Sequence, residues 1–106
     1  MTLEDNKTAQ AFAALLPKSL TMSELGGWEK YCNTGTNLRK DAQTAPQSIA
    51  AGELMLYEDD CVVLFYADHP NDGGYKYVPI GKIENTGELA KTVGKDDVMM
   101  RFEIAD

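Results

Sequence analysis

The chain has 106 residues and a mass of 11.7 kDa, enough for one modest core that buries roughly 65% of the unfolded surface. Hydrophobic residues make up 43% and charged residues 25%, which excludes collagen, a wholly disordered chain, a disulfide scaffold and a membrane channel. The net charge of −7 lies in the second half: residues 1–50 hold five basic and five acidic side chains, residues 51–106 five and twelve. Such a surface repels phosphate backbones and acidic lipid, so no nucleic-acid partner and no membrane partner is expected. Its plain role is solubility.

Residues 6–16 read as a helix, because Ala9, Phe12, Ala13 and Leu16 form one apolar stripe. Asp5 or Asn6 supplies the N-cap oxygen, and Pro17 ends the helix. Lys18 to Ser23 then alternates, with Leu20 and Met22 on one face, as a half-buried strand does. Gly26-Gly27 breaks it. Trp28-Glu29-Lys30-Tyr31 follows as a short aromatic and charged segment. Residues 33–47 are polar and long for a structureless loop; such loops cover a barrel end or a cleft, or wrap the surface.

Glu53 to Tyr57 and Cys61 to Ala67 flank the acidic turn Glu58-Asp59-Asp60 and read as a hairpin. Its second strand is almost continuously apolar, as a strand buried on both faces should be. Asp68 to Gly74 is a loop. Tyr75 to Val78 alternates as a strand, Pro79 forces a bulge or an edge, and Ile80 to Ile83 continues extended. Thr86 to Val93 reads as a short helix, capped by Asn85 or Thr86. Leu89, Ala90 and Val93 face inward and Gly94 stands at the C-cap. Val98, Met100, Phe102 and Ile104 alternate in a terminal strand. The fold class is mainly β, a β-barrel with two short capping helices.

Leu3-Glu4-Asp5-Asn6-Lys7-Thr8-Ala9 opening a helix that ends Ala14-Leu15-Leu16-Pro17 resembles the bacterial and archaeal cyclophilin-like fold proteins. So do Leu20-Thr21-Met22-Ser23-Glu24-Leu25, Glu29-Lys30-Tyr31, Gly52 to Tyr57, Val63-Leu64-Phe65-Tyr66, Ile80-Gly81-Lys82-Ile83, the Gly87 to Val93 helix and the closing strand. The resemblance runs along essentially the whole chain and rests on the ordered set rather than on one motif. It implies a single cyclophilin-like domain over 1–106, a closed or nearly closed β-barrel with a helix at each end. Some family members resemble secreted lipoproteins and some are fused to flavodoxin-like domains; this sequence carries neither feature. Family members also carry a β-hairpin before the helix, about 15 residues for two average strands and a turn, and Met1 falls where that hairpin would end. A barrel without it exposes unpaired edges. Three explanations stand open: a different natural start, a neighbouring subunit that fills the gap, or a rearranged barrel.

Prolyl isomerisation needs an arginine donor on the proline amide and an apolar pocket for the ring. The Phe-His-Arg run of true cyclophilins is absent, and Arg39 and Arg101 are the only arginines. Arg39 sits in the polar loop, and Arg101 alternates with a core face. His69, the single histidine, reads as a solvated loop residue beside Pro70. Glu58-Asp59-Asp60 and Asp96-Asp97 lack metal-site spacing, and neither Gly26-Gly27 nor Gly73-Gly74 belongs to a phosphate loop. No cofactor and no metal are expected.

Cys32 and Cys61 form no C-x-x-C and read as free thiols of a reducing compartment. With Met1 as the natural start and no apolar leader, the expected location is the cytoplasm. Trp28, Tyr31, Tyr57, Tyr66, Tyr75 and Tyr77 suit barrel packing first and recognition of a small molecule or peptide second. A recognition site would use the barrel wall, with Glu29 as polar anchor beside Tyr66 and Tyr75. The leading functional reading is a non-catalytic binding module. The alternatives are a divergent prolyl isomerase and an interaction protein, such as a homo-oligomer, that pairs through an open barrel edge.

Overall fold

The computed structural model describes residues 1–84 and 89–104. In chain order the elements are β1 (Thr2–Leu3), α1 (Lys7–Ala13), β2 (Lys18–Leu25), β3 (Glu29–Asn33), β4 (Ser48–Ile49), β5 (Glu53–Tyr57), β6 (Cys61–Phe65), β7 (His69–Pro70), β8 (Tyr77–Lys82), α2 (Leu89–Val93) and β9 (Val98–Phe102). Seven strands form one curled sheet in the order β1-β8-β5-β6-β3-β2-β9, and β4 with β7 makes a separate two-stranded ribbon. Every pairing is antiparallel. The sheet is mainly β barrel wall with two short helices, as expected. Among the described residues β1 and β9 are its two edge strands, each paired on one side only.

The main core takes one face of this wall. Leu20 and Met22 of β2, Leu54 and Leu56 of β5, Val62 and Leu64 of β6, Val78 and Ile80 of β8, and Phe102 of β9 meet there. Helix α1 covers them with Phe12, whose ring meets Phe102 edge-on at 5.8 Å. Asn6 caps α1: its Oδ1 accepts from the Ala9 N–H at 2.7 Å, while its Nδ2 donates to the Pro79 carbonyl. The helix stops at Ala13, short of the expected Leu16, because the Leu15 and Leu16 N–H groups bond three residues back, to Phe12 and Ala13. That tighter turn leads into Pro17.

The segment Trp28 to Tyr31 contains the start of a strand, which the sequence did not announce. The bulge expected at Pro79 is present: Leu54 pairs with Gly81 but Met55 with Pro79, so Ile80 is the extra residue. Residues 34–47 are held at several points. Leu38 is buried in the main core. Asp41 accepts from the Thr8 N–H and hydroxyl, both at 2.7 Å, which holds its carboxyl below the ordinary value. Thr44 exchanges two backbone hydrogen bonds with Tyr77. Helix α2 buries Leu89 and Val93, but Ala90 is exposed, and the expected caps Asn85 and Thr86 lie outside the described residues. Gly94 ends α2 with a positive φ of 68°. Ile104 lies beyond β9 and is exposed. Cys32 packs against the main core and Cys61 into a second cluster on the opposite face, and both are free thiols.

Lys30 is fully buried. Its ammonium bonds Glu24 Oε1 at 2.9 Å and the Asp96 carbonyl, and lies 5.4 Å above the Tyr66 ring. Tyr66 donates to the same Glu24 oxygen at 2.7 Å, and the other Glu24 oxygen accepts from the Gly27 N–H. Burial pushes the Glu24 carboxyl up, but these hydrogen bonds and the Lys30 charge outweigh it and hold the pKa below its ordinary value. A lowered carboxyl pKa contributes stability that is present above the unfolded value of about 4.5 and lost as pH falls through the folded one. Lys30→Ala is expected to lower the unfolding free energy by about 3 kcal/mol in urea titrations, with Lys30→Met costing less because the packed stem remains. The wild-type midpoint should drop below about pH 4.5 more steeply than that of Lys30→Met.

Candidate functional site

The second face of the sheet has its own apolar cluster. Side chains alternate along a strand, so the partners of the core residues point away from it: Met55 and Tyr57 on β5, Cys61, Val63 and Phe65 on β6, Tyr77 on β8, and Glu29 and Tyr31 on β3. Ile49 of β4 joins them from the ribbon. All of these but Met55 floor a cleft of about 370 Å³, within the range of small-ligand sites. Trp28 and the ribbon form one wall, and the 71–75 turn with Tyr75 forms the other.

Two glycines let aromatic rings close over these walls. A Cβ on Gly26, which has a φ of +69°, would collide with the Trp28 ring. A Cβ on Gly73 would stand 2.5 Å from Tyr75 Cε2. Asn71 fixes the second turn: its Nδ2 donates to the carbonyls of Pro46 and Tyr75, and its Oδ1 accepts from the Tyr75 N–H. The Tyr75 ring then meets Tyr57 edge-on at 6.1 Å. On the opposite wall His69 stacks flat on Trp28, with ring centroids 4.0 Å apart and planes 5° from parallel. His69 is therefore a half-buried stacking partner on β7, where the sequence suggested a solvated loop residue.

Glu29 lies at the head of β3, with 9% of its surface exposed. Its Oε1 accepts from the Trp28 indole N–H at 3.1 Å. Burial raises its pKa above the ordinary carboxyl value, the indole hydrogen bond opposes this, and the Glu24 charge adds to it. Burial also pushes the Tyr77 phenol up to about 12, with Glu29 the next contributor. The Cys61 thiol rises to about 11 through burial and then the charges of Asp60 and Glu29. Cys61 is thus a protonated thiol at neutral pH, not a poised nucleophile. Among the described residues no group of three or more His, Cys, Asp or Glu side chains is placed to hold a metal ion.

Of the three residues selected from sequence, the structure brings Glu29 and Tyr75 to one cleft. Tyr66 lies on the other face, packed with Leu89, Val93 and Val98 and bonded to Glu24. Its phenol is raised to about 12 by burial, then by Glu24. Strand parity carries the signal: Phe65 pairs with Glu29 in the sheet, so Tyr66 points away from it. Sequence reasoning missed Gly73, Asn71 and the Trp28–His69 stack.

A family model described as the cyclophilin-like family matches residues 1–104. The chain belongs to the cyclophilin-like family. No curated protein and no solved structure gave a match. Family membership raises the question of an arginine positioned for amide chemistry. In this cyclophilin-like chain Arg39 is exposed and pairs with Asp59 and Gln43, and Arg101 is exposed on β9 beside Glu103. Neither lines the cleft. No helix among the described residues is long and apolar enough to cross a membrane.

Glu29→Gln is expected to raise the unfolding free energy at pH 7 by about 1 kcal/mol, since it removes a buried charge and keeps an acceptor for the indole. A carboxyl with a raised folded pKa is relieved by protonation, so the gain should shrink as pH falls through that value. Urea titrations at pH 7 and pH 4.5 check both statements. Gly73→Ala should displace the Tyr75 ring, abolishing Tyr57–Tyr75 ring contacts in NMR spectra, while stability stays within about 0.5 kcal/mol because Tyr75 is 55% exposed.

Proposed function

We propose that this cyclophilin-like protein is a binding module, taking a small organic molecule or a short peptide in the aromatic cleft without transforming it. The observation that carries the reading is a floor and two walls of aromatic side chains around one buried carboxyl group. Aromatic rings supply a large apolar contact area at low entropic cost, and a single polar group fixes orientation. The walls are braced before any ligand arrives, by the Trp28–His69 stack and by the three hydrogen bonds of Asn71. Pre-organisation of this kind reduces the cost of binding. The positions of Arg39 and Arg101 and the protonated Cys61 weigh against catalysis.

Trp28 is the only tryptophan in the sequence, so its fluorescence reports on the cleft directly. Titration with a panel of aromatic fragments and short peptides should give saturable changes, weakened about tenfold by Tyr75→Ala, a cost in the range of one lost aromatic contact. A panel without a saturable change overturns the reading. A proline-peptide isomerisation assay should stay at the uncatalysed rate; catalysis lost on Arg39→Ala or Arg101→Ala would replace the module with an enzyme.

A further inference from the structure

We infer that the group recognised at the base of the cleft is an organic ammonium carried on an aromatic or aliphatic body, held by Glu29 and faced by the surrounding rings. This rests on the binding reading above and names its ligand class.

The first observation is the carboxylate itself. Glu29 is more than nine-tenths buried, yet it takes part in no ion pair among the described residues. Its one side-chain hydrogen bond comes from the neutral Trp28 indole and occupies Oε1. Among the described residues no buried side-chain oxygen or nitrogen is left without a partner, so the unbonded Oε2 keeps some exposure, and Glu29 lines the cleft. Lys30, the next residue, shows the contrast: its charge is met by Glu24, a backbone carbonyl and a ring face. A carboxylate with most of its surface out of water and without such partners is costly, and a cationic donor from outside would reduce the cost.

The second observation is the lining. Among the described residues no lysine or arginine lines the cleft, and the other carboxylate that does, Asp72, adds to the negative charge. The negative field acts on neighbours, since Glu29 contributes to the raised values of both Tyr77 and Cys61. The third is the ring set. Trp28, Tyr31, Tyr57, Tyr75 and Tyr77 line the same cleft as Glu29, and the negative faces of aromatic rings attract a cation. An anionic ligand would meet repulsion from Glu29 and Asp72, and a neutral apolar one would leave the carboxylate oxygen covered and unpaired.

The test uses three probes with the same phenylethyl body: 2-phenylethylammonium, 2-phenylethanol and 3-phenylpropanoate, titrated into the full chain at pH 7.5 with Trp28 fluorescence as readout. The ammonium should bind at least about tenfold more tightly than the alcohol, as a charge-assisted hydrogen bond and cation–π contact require, and the carboxylate should bind weakest. Glu29→Gln, which is expected to fold at least as well as the wild type, should bring ammonium and alcohol within about twofold of each other. Equal binding of ammonium and alcohol to the wild type, or preference for the carboxylate, overturns the inference and leaves the binding module standing. Failure of all three probes overturns both. Ammonium preference that survives Glu29→Gln overturns the role of Glu29. A blocked lysine-phenylalanine dipeptide run beside the free amine assigns the source: tighter binding of the amine supports a small molecule, tighter binding of the dipeptide a lysine side chain.

Discussion

The β5–β6 hairpin is apolar on both faces because two separate clusters draw on it. Leu54, Leu56, Val62 and Leu64 belong to the main core, while Met55, Cys61, Val63 and Phe65 belong to the second cluster, which floors the cleft through all but Met55. Neither set can be exchanged for polar residues without loss of a packed surface, since each buried aliphatic side chain is worth roughly 1.5–3 kcal/mol. The wall is thus one residue thick, with the core on one side and the candidate site on the other.

The parts of the fold visible in the sequence are those governed by neighbours along the chain. Leu20 and Met22, the hairpin around Glu58-Asp59-Asp60, the Asn6 cap and the bulge at Pro79 all follow local periodicity or the missing N–H of proline. The beginning of β3 did not, because Glu29 and Lys30 interrupt the apolar alternation. Their burial depends on partners elsewhere: Asp96 for Lys30, from beyond α2, and the opposed strand β6 for Glu29. Periodicity does not register burial that rests in part on elements distant in sequence.

The site was legible to a similar degree and for a similar reason. Glu29 and Tyr75, picked out as a candidate polar anchor and an aromatic beside a loop, line one cleft. Tyr66 carries the same chemistry, but a single step along β6 turns it to the other face, where α2 covers it. The stack of His69 on Trp28 joins residues that neither periodicity nor turn chemistry connects. Gly73 was read as part of a loop, whereas its missing side chain is what gives Tyr75 its place.

The adjacent opposite charges Glu29 and Lys30 have a consequence for strand alignment. A slip of β3 by one residue would exchange their faces. The ammonium would enter the aromatic cleft, and the carboxylate would meet Glu24, the Asp96 carbonyl and the Tyr66 hydroxyl oxygen, all of them electron-rich. In an apolar strand such a slip costs only packing; here it would also set like charges against each other. The dipeptide therefore favours one alignment, and the residue proposed to recognise a ligand is also one that helps fix how the sheet assembles.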